Sequence, residues 1–155
     1  KTRDIIERFG FNSRMDTLQA AILNFHLDNL DNVIAKRRKN ASIYFETLNN
    51  KYVFFNKPRD YSFDTFHTFV IQVNERDALK YFLESKGVGT SIHYPVPIHL
   101  QPAASQLNVG MGSFPVAEDQ AKMILTLPVN QFVSEQEINM IAEQVNSFFV
   151  EHGHG

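Results

Sequence analysis

The chain has 155 residues, 43% hydrophobic and 21% charged, with a formal net charge of -2 and no cysteine. That length supplies a core for one domain, and the near-neutral charge excludes the strong field that would recruit nucleic acid or a membrane surface. Without cysteine there is no disulfide, thiolate metal site or cysteine nucleophile; no apolar run spans a bilayer and no signal-peptide pattern opens the chain, so we expect a cytoplasmic protein.

The first residue is lysine and a dense motif, Gly10-Phe11-Asn12-Ser13-Arg14, follows at once. We therefore expect a fragment whose N-terminal part is missing. From Met15 to Asn50, apolar residues such as Leu18, Ile22, Phe25, Val33, Ala41 and Tyr44 recur mostly at three- and four-residue steps, a helical period. No proline or glycine interrupts this stretch, which predicts one long helix. Such a helix runs ~50 Å at 1.5 Å per residue, against a radius of gyration of ~15 Å for a compact domain of this size. Part of it should project and pack on something outside the chain. The apolar spacing slips near Asn29-Leu30, where a bend would fit.

Tyr52 to Asp64, with Pro58, reads as irregular linker. Phe66–Val73 (FHTFVIQV) is β-branched and aromatic and reads as a strand. Asn74 can cap the next helix, Asp77 suits its first turn and Gly87 stops it. Val88–Ile92 predicts a short strand, and the stretch from His93 to Ser113, with three prolines and two glycines, is mostly loop. Pro115 opens a helix continued by Ala117, Ala121 and Ile124. Leu125–Leu127 is a brief strand ended by Pro128. Ser134 and Glu137 form a capping box before Ile138, Ile141, Val145 and Phe148, and the tail from Glu151 frays. The expected fold class is α+β: a long N-terminal helix and a small three-stranded sheet covered by helices.

Two segments concentrate polar chemistry. Asn12 and Arg14 stand just before a helix N-terminus, whose free N–H groups and partial positive charge favour a phosphate. A plain cap by Asn12 or Ser13 beside a solvated Arg14 accounts for the same residues. The second segment, Ser91-Ile92-His93-Tyr94-Pro95-Val96-Pro97-Ile98-His99-Leu100-Gln101, puts two histidines, a tyrosine and a glutamine in a proline-stiffened loop. Its alternatives are a functional loop on a rigid scaffold and a structural loop around a satisfied histidine. His93 and His99 lie six apart with no nearby acid or cysteine, so no metal spacing is met. Gly110-Met111-Gly112 is a flexible turn. Lys36-Arg37-Arg38-Lys39 points around a helix axis and reads as a solvated surface. His26 reads as structural.

Taken in order, these pieces resemble one family. Gly10 to Leu23 is similar to the G-x-N-x-R-x-D-x-L-Q-A-A signature of the DegT-type nucleotide-sugar aminotransferases. Arg37-Arg38, Ala41 and Tyr44, then Arg76-Asp77, His93-Tyr94-Pro95 to His99, Phe114-Pro115 with Ala117-Glu118, and Leu127-Pro128 follow in the family's order. The resemblance implies a fold-type-I enzyme that uses pyridoxal 5'-phosphate and works as a homodimer with its active sites at the subunit interface. It implies that residues 1–14 form an interface segment near the phosphate, 15–50 the linking helix and 51–155 the small C-terminal domain, with the large cofactor-binding domain missing. Asn12 matches the asparagine that reaches the partner's cofactor phosphate. Arg14, His93 and Tyr94 match residues on the substrate side. None of the eight lysines matches the Schiff-base lysine, so no catalytic residue is expected here and the fragment alone should be inactive. The implied reaction moves an amino group from glutamate to a keto nucleotide sugar. The wording around Asn12-Ser13-Arg14, Leu18-Gln19 and His99-Leu100-Gln101 looks more like members acting on 3-keto than on 4-keto sugars. A non-catalytic binding or regulatory module that keeps the fold is the alternative.

Overall fold

The computed structural model describes residues 5–8, 10 and 15–151. Asn12, Arg14 and the tail beyond Glu151 lie outside the described residues.

Helix α1 covers Thr17–Leu27. It opens on a capping box: the Asp16 carboxylate accepts the Leu18 N–H at 2.9 Å, and Gln19 Oε1 accepts the Asp16 N–H at 3.2 Å. Helix α2 covers Leu30–Thr47. The single helix expected over 15–50 is thus two, broken at Asp28–Asn29. There the Asn29 N–H reaches back to the His26 carbonyl at 3.2 Å, a tighter bond than the helical one, and Asn29 leaves helical geometry with φ -113 and ψ 7. Its side-chain oxygen accepts from Asn32 Nδ2 at 2.8 Å, the local bonding by which Asn competes with a helical ladder. The break sits where the apolar spacing slips.

The sheet has two antiparallel strands, β1 (Phe69–Gln72) and β2 (Ile124–Leu127), in register Phe69↔Leu127 to Gln72↔Ile124. The third strand expected at Val88–Ile92 reduces to one bridge, Ser91 to Thr126, with reciprocal N–H···O bonds of 3.2 and 2.7 Å. In that register the next bonded pair would be Gly89 with Pro128, and proline has no N–H to give. In the other direction the chain leaves β2 at His93. On the outer edge of β1, Phe54 makes a similar bridge to Gln72, so the segment read as irregular linker holds a sheet edge. Val53 and Phe55 are buried on either side of exposed Phe54, the alternation of a strand.

Helix α3 (Arg76–Ser85) starts after Glu75 without a side-chain cap, so Asn74 does not take that role. Gly87 stops it at φ 78, where a side chain would be strained. Helix α4 (Pro115–Met123) starts on Pro115 as expected, and Ile124 already belongs to β2. Before α5 (Glu135–Glu151), Glu137 Oε2 accepts the Ser134 N–H at 2.8 Å while Ser134 Oγ accepts the Glu137 N–H at 3.3 Å. The core joins the C-terminal half of α2 (Ala41, Tyr44) to α3 (Leu79, Leu83), α5 (Ile138, Val145, Phe148) and the strands (Ile71, Leu125). The α+β class holds. No residue of α1 is buried, and Leu18 and Phe25 are 69% and 75% exposed.

Candidate functional site

β2 and the bridge at Ser91 aim the following loop. Immediately beyond the bridge, His93 Nδ1 meets Thr126 Oγ1 at 3.0 Å, so a buried strand residue fixes the imidazole. Tyr94 follows through a cis peptide bond, its ring edge-on to that of His93 at 5.4 Å and 64% exposed. The two residues form the divide between two open clefts of about 680 Å³ each.

The first cleft is lined by Arg37, His67, Thr68, Ser91, Thr126 and Asn130, among others, and among the described residues by no aspartate, glutamate or lysine. Its floor is organised from α2. Arg37 Nη1 donates to the carbonyls of Phe66 (3.2 Å) and His67 (2.9 Å), and its Nε donates to Gln131 Oε1 at 3.2 Å. Phe66 sits at φ 47, uncommon for a side chain of that size, and the guanidinium takes up its carbonyl. One turn on, buried Asn40 donates to the carbonyls of Asn130 (2.9 Å) and Val133 (3.2 Å), and the Tyr44 hydroxyl donates to the Pro128 carbonyl at 2.8 Å. Burial pushes the Tyr44 phenol well above its usual pKa, so it stays a donor. The solvated surface expected for Lys36 to Lys39 is corrected at its two arginines, because α2 packs against loops on two sides. Arg38 donates to the Asp64 carbonyl at 2.7 Å and lies 4.4 Å over the Phe63 ring. Lys36 and Lys39 face Glu135 at the surface.

The second cleft is apolar, bounded by Val96, Ile98, Leu107, Phe114 and Ile124. Beside it lies a side chain that the sequence offered only as part of a motif, with no role assigned. The Glu118 carboxylate accepts His99 Nε2 at 2.9 Å, the Gly112 N–H on both oxygens at 2.9 Å and the Phe114 N–H at 3.2 Å. The Gly112 N–H first, then His99 and Phe114, hold its pKa below the usual carboxylate range against the opposing effect of desolvation. The signal was an acid in the first turn of a proline-started helix. His99 is thereby a satisfied histidine. Gln101, also buried, accepts the Ile6 N–H at 2.9 Å, while the Ile6 carbonyl accepts the Ala103 N–H at 2.9 Å. The chain just before the Gly10 motif is therefore pinned to the loop that carries His93 and Tyr94.

Of the four residues singled out in the sequence, the structure brings His93 and Tyr94 together, while Asn12 and Arg14 lie outside the described residues. Among the described residues no three His, Cys, Asp or Glu side chains cluster as metal ligands. No described helix is long and apolar enough to cross a membrane.

The model of the DegT/DnrJ/EryC1/StrS aminotransferase family matches residues 1–146. The chain belongs to that family. It is 37% identical over 139 residues to a dTDP-3-amino-3,6-dideoxy-alpha-D-galactopyranose transaminase of Aneurinibacillus thermoaerophilus, covering 90% of this chain and 38% of that protein. It is 36% identical over 143 residues to a Geobacillus stearothermophilus protein named "pleiotropic regulatory protein", covering 90% of this chain and 38% of the relative. Among solved structures, S. venezuelae DesV in complex with a ketimine intermediate superposes with a TM-score of 0.83 at 30% identity, over 96% of this chain and 40% of that one. The chain thus spans 38% of the length of these two curated relatives.

Proposed function

We propose that this chain is the C-terminal part of a cytoplasmic aminotransferase dependent on pyridoxal 5'-phosphate, one that moves an amino group from glutamate to a 3-keto nucleotide sugar. The observation that carries the reading is the His93–Tyr94 corner, set by β2 at the edge of a cleft whose described lining holds no carboxylate. A nucleotide sugar is anionic and rich in hydroxyls, and this cleft offers imidazole, phenol, hydroxyl and amide groups without a like charge to repel it. His93 engages Thr126 through Nδ1, which leaves Nε2 for the ligand, and the exposed Tyr94 side chain borders the cleft. Such contacts place the sugar's keto carbon for amino transfer. The name of the Aneurinibacillus relative supports a 3-keto acceptor, since its product carries the amino group at carbon 3.

The cofactor supplies the electron sink for the transfer. On this chain Asn12 is the residue we assign to its phosphate, with Arg14 joining His93 and Tyr94 on the substrate side. Among the described residues no lysine lines either cleft, which supports a cofactor lysine supplied from elsewhere in the enzyme. In this reading residues 1–14 are an interface segment, 15–50 the link and 51–155 the small domain, and the enzyme is a homodimer whose partner site receives His93 and Tyr94.

The test uses a full-length enzyme carrying this chain. His93→Ala with Tyr94→Phe should slow the sugar half-reaction on the order of a hundredfold, as expected for a misplacement of about an ångström, with little loss of thermal stability. Mixing that subunit with one lacking the cofactor lysine should restore one working site per heterodimer. No rescue after demonstrated subunit exchange would refute the cross-subunit role. Equal turnover of 3-keto and 4-keto acceptors would refute the acceptor assignment. The name of the Geobacillus relative favours a second reading, a regulatory module without chemistry, and an upstream sequence with no lysine-bearing domain would select it.

A further inference from the structure

Tyr94 is two-thirds exposed and is held at one end by His93, so the rest of its loop must fix where its hydroxyl points. That loop is stiff at its near end, where Pro95 and Pro97 restrict the backbone, and it enters a short 3-10 turn at Ile98–Leu100. At the far end His99 ties the loop to α4. His99 is 9% exposed and its partner Glu118 7%, with Nε2 and Oε1 2.9 Å apart. The Glu118 carboxylate gathers donors from three separate points of the chain, at 99, 112 and 114. The His99 ring also packs edge-on against Phe114 at 4.8 Å, and both rings line the apolar cleft beside Tyr94.

We infer that His99 and Glu118 are positioning residues that set Tyr94 for the sugar by locking the 95–101 loop onto α4. The inference rests on the assignment of Tyr94 to the sugar site made above. The carboxylate accepts three different donors, so His99 must present a proton on Nε2, which orients its ring and fixes the turn that follows Pro97. Loss of either side chain frees the turn while leaving β2, Thr126 and the core of α2, α3 and α5 in place.

The chain contains five tyrosines, and 3-fluorotyrosine labelling gives each its own ¹⁹F resonance. Tyr94→Phe assigns the Tyr94 line, and the line of buried Tyr44 reports the fold. Expected is a shift and broadening of the Tyr94 line in Glu118→Gln and in His99→Gln, with the Tyr44 line unmoved. A Tyr94 line identical to wild type in both variants overturns the inference. Should Glu118→Gln lose the native Tyr44 line, His99→Gln decides alone, because it leaves the carboxylate its two backbone donors. In the full-length enzyme, His99→Gln should raise KM for the nucleotide sugar about tenfold and leave the glutamate half-reaction unchanged. An unchanged sugar KM in an enzyme that Tyr94→Phe does impair overturns the inference while the proposed activity stands. A wild-type enzyme with no aminotransferase turnover overturns the proposed activity, and the Tyr94 resonance then judges the positioning by itself.

Discussion

Asn40 offers a sharp test of how α2 organises the first cleft. Its side chain is fully buried, and its amide nitrogen donates to the carbonyls of Asn130 and Val133 at 2.9 and 3.2 Å. Its Oδ1 meets no hydrogen-bond partner among the described residues. Asn40→Ala removes two donors, each contributing roughly 0.5–1.5 kcal/mol net, and opens a small void. Removing the unpartnered Oδ1 returns part of that, so we expect a loss of about 2 kcal/mol. Asn40→Asp keeps the shape but sets a carboxylate against two carbonyl oxygens, an uncompensated buried charge costing ~3–5 kcal/mol. The aspartate's folded-state pKa would be raised above its unfolded value. The penalty should therefore be smallest at pH below the unfolded pKa of ~4, where the acid is protonated in both states, and should grow as pH rises past it. Urea unfolding followed by far-UV circular dichroism reads both variants. With a slope of ~2 kcal/mol/M, Asn40→Ala lowers the midpoint by about 1 M. A loss below ~0.5 kcal/mol for Asn40→Ala, or an Asn40→Asp variant no worse than it at neutral pH, would show that this amide does not hold the 130–133 loop.

Three further outcomes are expected. Because hydrogen bonds depress the folded-state pKa of Glu118, its contribution to stability is present above the unfolded pKa and fades as pH falls through the folded one; Glu118→Gln should flatten the acid limb of the urea midpoint against pH, and an unchanged limb would contradict this. The unburied apolar residues of α1 should drive concentration-dependent association in sedimentation, weakened by Phe25→Glu, and a strict monomer at high concentration would refute it. Borohydride reduction of the 155-residue chain with pyridoxal phosphate should label lysines weakly and without preference, since among the described residues no lysine lines either cleft; stoichiometric labelling at a single lysine in peptide mapping would oppose it.

Much of the site was visible in the sequence because it depends on local chemistry. The proline-stiffened His93-Tyr94 loop, the helix start at Pro115 and the Ser134–Glu137 box each follow from residue types at short spacing, and each has its expected place in the structure. The β-branched and aromatic run Phe66–Val73 contains β1, Phe69–Gln72, and the brief strand expected at Leu125–Leu127 is β2, which begins one residue earlier at Ile124. The bend at Asp28–Asn29 left a trace in the apolar spacing, but the long run without proline or glycine outweighed it.

By itself, then, the sequence determined the helix starts at Pro115 and after Ser134, the stop at Gly87, which runs favour strands, and the family to which the motif order belongs. Only the tertiary structure decided which polar groups meet. Pro128 denies Ser91's segment a second ladder bond, so a strand-like run makes one bridge. Arg37 and Arg38 read as solvated until the loops carrying Phe66, His67 and Asp64 supply them with carbonyls about 26 to 30 residues away. In the sequence Glu118 stood only as part of the Phe114-Pro115, Ala117-Glu118 motif, and His99, 19 positions earlier, as one of two loop histidines. Folding joins them because a buried carboxylate must find donors: Gly112 and Phe114 supply theirs from within six residues, while His99 comes from a separate segment that no local pattern links to Glu118.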